Sequence, residues 1–194
     1  MQREDGVAGN QRLTATTAVV LIVLLALEGV TILAIEPLLS WHIVVGLLLI
    51  PPVALKLAAT GYRMLRYYRR SPAYALRGAP PLLLRALAPV VVASTVAVFT
   101  TGVALLLAGP DHERLVGLHK LSFVVWLAAT GPHVLAHLSK LPRLVLAPGL
   151  VRRVALVGAS VLAGGVLALG TVSATGGWQR WLDRDDAAAA AAWR

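Results

Sequence analysis

The sequence predicts an all-α fold, an integral membrane helical bundle with five transmembrane helices, and three observations predict it. Of the 194 residues, 58% are hydrophobic and only 14% charged, more apolar side chain than a soluble domain of this size can hide. The mean hydropathy is +0.76. Five apolar stretches, near 13–35, 41–62, 83–108, 115–138 and 151–173, are each long enough to cross a hydrocarbon core about 30 Å thick. A helix is expected for each, because a segment in lipid must satisfy its own backbone hydrogen bonds.

The first span, 13–35, follows a short tail, 1–12. It is too long for the apolar region of a signal peptide, and no small-residue cleavage site follows it. Glu36-Pro37 is expected to close it. The second span opens with Trp41 and His42 and contains Pro51-Pro52, which should kink it. Ser71-Pro72 and Gly78-Ala79-Pro80-Pro81 punctuate the next connection, Gly109-Pro110-Asp111 ends the third span, and Pro142 and Pro148-Gly149 break the loop after the fourth. "ASTVAVFTTG", 93–102, and "GASVLAGG", 158–165, offer small residues for close helix packing. After the fifth span, a tail from 174 to 194 with an alanine run reads as an interfacial or frayed helix.

Basic residues set the expected orientation. Arg63, Arg66, Arg69, Arg70, Arg77 and Arg85 crowd the 62–85 connection, and Lys140, Arg143, Arg152 and Arg153 the 139–153 connection, with no acid in either. Both are expected on the cytoplasmic side. Glu36, Asp111 and Glu113 mark the 36–40 and 109–114 connections as outer ones, which leaves the N-terminus inside and the C-terminus outside. Trp41, Trp178 and Trp181 then fall at the outer interface. The net charge of +9 is thus a topology signal, and no nucleic-acid partner is implied. Cysteine is absent, which excludes disulfides, thiolate metal sites and covalent c-type haem attachment.

The chemistry lies in "GLHKLSFVVWLAATGPHVLAHL", 117–138, an apolar segment with His119, His133 and His137. Intramembrane histidines are costly and mark function by default. At about 100° per residue, the fourteen residues from His119 to His133 nearly close four turns, so both rings share a face about 21 Å apart. His137 lies one further turn down. In the second span, His42 falls at the depth of His119. If the two faces oppose each other, the pair could ligate a haem iron from both sides, with Gly46 letting a macrocycle approach the backbone and Arg114 and Lys120 near its propionates. Fourteen residues after His42 stands Lys56, a poor ligand expected to snorkel to the cytoplasmic end. A second haem at His133 or His137 therefore needs another partner. His112, between Asp111 and Glu113, reads as solvated.

A weak internal repeat lays 28–46 beside 101–123, matching Glu28-Gly29 to Thr101-Gly102 and His42 to His119; two hairpins related by an axis along the membrane normal would produce it. Glu28, deep in the first span, is expected to hydrogen-bond across the bundle, with a proton or quinone contact as the other reading.

Paired histidines at this spacing, with "HIVVG" (an H-x-x-x-G) opening another span, make the chain resemble membrane b-type cytochromes of the bacterial cytoplasmic membrane, closest to the cytochrome b561-like and DUF4405-type bundles. The resemblance covers 13–138 well and the fifth span loosely. It implies that the first four helices form a four-helix haem-binding core, with haem b between neighbouring helices. It names His42, His119 and His133 as ligand candidates. The implied role is electron transfer between a quinone pool and a redox partner, with any catalysis in that oxidoreductase partner. Lys56 departs from the two-haem pattern. Two rival readings compete with this one: a haem-free membrane protein (transporter subunit, assembly factor or scaffold), and a bare metal held by His133 and His137 at i, i+4.

Overall fold

The computed structural model describes residues 2–75, 82–109, 111–138, 143 and 149–192. The expected breaks at Gly78–Pro81, Pro110, Pro142 and Pro148, together with Arg77 and Lys140, lie outside the described residues, as does the side chain of Trp181. The fold is all-α: α1 (Gln2–Leu33), α2 (Ile35–Tyr68), α3 (Pro72–Ala75), α4 (Leu82–Ala108), α5 (Glu113–Leu138) and α6 (Leu150–Ala192). Five of these, all but α3, are long and apolar enough to cross a membrane. Large apolar side chains point away from the bundle, among them Leu33 at 88% exposure and Leu107 at 81%, as lipid-facing surface does. The chain is a multi-pass membrane protein by helix length and hydropathy.

The helix ends depart from expectation in instructive places. Glu36-Pro37 does not form a loop. α1 stops at Leu33, a single residue, Ala34, turns the chain, and α2 begins at Ile35. Pro37 falls in the first turn of α2, where its missing N–H would have no intrahelical acceptor anyway, and Glu36 beside it favours the positive end of the helix dipole. At the other end of α2, Arg70 N–H bonds the Tyr67 carbonyl at 2.9 Å and Ser71 N–H the Arg66 carbonyl at 3.1 Å. This is a Schellman closure, with Arg70 in the left-handed region at φ 53°. Gly109 takes the corresponding role after α4 (φ 90°). α6 runs unbroken to Ala192, since alanine is the strongest helix former.

α2 is the organising helix. It packs along α1 and most extensively along α6, while α4 and α5 pack on each other and meet the rest mainly through a sparse α2–α4 seam. The fifth span is thus integral to the bundle. Pro52 carries no N–H for the Leu48 carbonyl four residues earlier. That carbonyl abuts Gly164 of α6, where any Cβ would collide with it, so the two backbones approach as closely as a glycine permits. Leu49 and Pro52 are fully buried at this crossing. In the other hairpin, buried Ser94 and Thr95 face inward, and Trp126 Nε1 of α5 donates to Thr95 Oγ1 of α4 at 3.0 Å.

Candidate functional site

The structure brings His42 and His119 together. Each sits near the start of the second helix of its hairpin, and each is oriented by the helix before it. On α1, the Thr31 hydroxyl donates its proton to the Glu28 carbonyl at 2.6 Å. Toward His42 Nδ1, 3.1 Å away, it therefore offers a lone pair. Glu28 Oε1, 3.0 Å from the same nitrogen, is likewise an acceptor. On α4, the Thr101 hydroxyl donates to the Ala97 carbonyl at 2.7 Å and accepts from His119 Nδ1 at 3.0 Å. A hydroxyl has one proton to give. With the hydroxyl protons placed on those carbonyls, each ring would carry its proton on Nδ1 and keep Nε2 as the lone-pair nitrogen, the form in which imidazole binds metals.

The two ring centres are 6.3 Å apart with planes at 76°. That is an edge-to-face approach of two rings, a contact whose centres lie about 4.5–7 Å apart. Two imidazoles about one ion, at about 2.0–2.1 Å from each nitrogen with each centre roughly 1.1–1.2 Å behind, would have centres about 6.2–6.6 Å apart, so the spacing also has room for an ion between the rings. Among the described residues, no group of three or more His, Cys, Asp or Glu side chains could hold a metal ion. Two imidazoles alone underfill a bare ion's coordination sphere, whereas haem brings its own four equatorial nitrogens and asks the protein for two axial ones. The two imidazoles match that demand in number and kind.

Gly102 makes room for His119: a Cβ there would lie 3.1 Å from the ring's Cε1. Gly46 corrects an expectation. The space beside it is taken by Glu28, whose Oε1 would lie 3.4 Å from a Cβ at that position, in ordinary contact. An open groove of about 600 Å³ borders the His119 side, lined by Pro89, Ala93, Ala97, Thr101, Leu121 and Val125 among others.

The inner histidines are arranged differently. His133 and His137 stack on one another, with centres 4.8 Å apart and planes at 31°, and His137 Nδ1 donates to the His133 carbonyl at 2.9 Å. His133 Nδ1 is buried with no partner among the described residues. Lys56 does not snorkel. Its Nζ reaches across to α1 and donates to the Thr14 carbonyl at 2.7 Å, using the acceptor's second lone pair. His112 is exposed, as are Arg114 and Lys120.

Sequence reasoning found the histidine pair and matched Glu28 with Thr101, but passed over Thr31. The available signal was a hydroxyl one turn past Glu28 in an otherwise apolar run. Comparison with protein-family models, with curated proteins and with solved structures finds no match for this chain. The fold and site define it as a five-span helical membrane protein with two facing imidazoles.

Proposed function

We propose that the protein is a membrane b-type cytochrome subunit, holding one haem b between His42 and His119 and carrying single electrons between a quinone pool and an oxidoreductase partner. The observation that supports this reading is the meeting of two imidazoles, one from each hairpin, 6.3 Å apart between ring centres, each with a threonine hydroxyl of the preceding helix at Nδ1. The haem supplies reversible one-electron chemistry when bound. His42 and His119 would hold the iron. Thr31, Glu28 and Thr101 fix their tautomers, and the apolar helices keep water from the site. Lys56, fourteen residues after His42 where the spacing of His119 and His133 would put a second imidazole, argues for one haem and against two.

The basic connections support an orientation with the N-terminus in the cytoplasm and the C-terminus outside a bacterial plasma membrane. Because the chain has no cysteine, single cysteines introduced at positions 69 and 112 report opposite sides by impermeant labelling. A pyridine haemochrome assay on protein expressed with ample haem tests the central reading. One haem per chain is expected, lost in both His42→Ala and His119→Ala. A colourless wild type, or full haem in either variant, would overturn it.

A further inference from the structure

We propose that Glu28 makes the two axial positions chemically unequal, acting as a positioning residue that strengthens His42 as a donor and holds the site's reduction potential down. The proposal rests on the haem reading above. The two ligands share one plan, a threonine from the preceding helix on Nδ1, and differ in one group: His42 has the Glu28 carboxylate as well, 3.0 Å away, whereas the His119 ring meets the Thr101 hydroxyl and the Val98 backbone. Glu28 Oε2 is buried and has no hydrogen-bond partner among the described residues. The acceptor strength of the carboxylate is therefore spent on His42 alone, in an apolar interior where such a bond is strong.

A carboxylate on the far nitrogen of a metal-bound imidazole fixes the ring and raises its basicity. A more basic ligand, with a negative charge behind it, favours the oxidised and more positive iron over the reduced one. The effect passes through His42 only, so substitutions on the two sides will not be equivalent.

The test is a spectroelectrochemical titration of the purified, haem-loaded protein. Glu28→Gln keeps the shape and an acceptor oxygen while removing the charge. It is expected to retain haem and to shift the oxidised-to-reduced ratio at fixed ambient potential at least tenfold toward reduced, a rise of about 59 mV for one electron. Thr101→Val, on the other side, is expected to shift it far less. Glu28→Asp, which restores the charge at a longer reach, should fall between wild type and Glu28→Gln. Haem bound with an unchanged potential in Glu28→Gln, or an equal shift in Glu28→Asp, would sink this proposal and leave the haem reading standing. Should Glu28→Gln not yield folded protein, Thr31→Val decides. With the carboxylate as sole acceptor the potential must fall, and a rise overturns the inference. A wild type without haem ends both.

Discussion

Replacing Gly164 by alanine tests the packing that holds α2 in place. The new methyl would be driven into the Leu48 carbonyl, a backbone atom with no rotamer to escape into. Helix propensity alone favours the substitution by about 1 kcal/mol. Against it, α2 and α6 must part by about 1 Å at the crossing, and a gap of that size forfeits a quarter to a half of each dispersion contact along the seam. Overpacking of this kind costs about 1–3 kcal/mol, and the α2–α6 seam is the most extensive in the bundle, which sets the cost at the upper end. The net loss is about 2 kcal/mol. At about 2–4 °C per kcal/mol for a chain of this size, thermal unfolding in detergent, followed by circular dichroism, should shift down by about 4–8 °C. Gly158→Ala and Gly165→Ala, with no atoms near their Cβ positions, supply controls and should melt at or slightly above wild type. A Gly164→Ala protein as stable as those controls would refute the argument that this glycine sets the helix spacing.

Gly102→Ala is expected to split stability from occupancy. The helix gain and the 3.1 Å contact with His119 Cε1 nearly cancel, within about 1 kcal/mol, while the displaced ring lowers haem content in the haemochrome assay. Arg70→Gly relieves a left-handed conformation at φ 53° that costs a side-chain-bearing residue about 1–2 kcal/mol. Partly offset by glycine's unfolded-state entropy, the change should raise the thermal midpoint by a few degrees, about 2–4 °C per kcal/mol gained. Trp126→Phe removes the indole bond to Thr95 at a cost of about 0.5–1.5 kcal/mol. Thr95→Val should cost about the same in the same melt, and the double variant no more than either alone.

Hydropathy made the five spans legible, because length and composition in lipid leave few alternatives to helix. The meeting of His42 and His119 was legible too, since both open helices running the same way. The hairpin at Ala34 was not. Pro37 carries the same local signal whether it ends one helix or starts the next, and only the absence of a needed N–H in a first turn distinguishes the two. Lys56 illustrates a second limit. Its stem is long enough to reach the cytoplasmic end or the Thr14 carbonyl, and the choice depends on how close α1 lies. Gly164 was visible as part of a small-residue stripe, but its opposite number, the carbonyl freed by Pro52, requires the helix register.

The sparse seam between the α4–α5 hairpin and the α1–α2–α6 group has a consequence for assembly. Few contacts join the two groups, so little in the packing compels them to stay together. A bridge across residues 42 and 119 spans that divide. Whatever is gripped there adds its binding free energy to the cohesion of the two groups, and loss of the bridge frees them to slide or separate in the plane of the membrane.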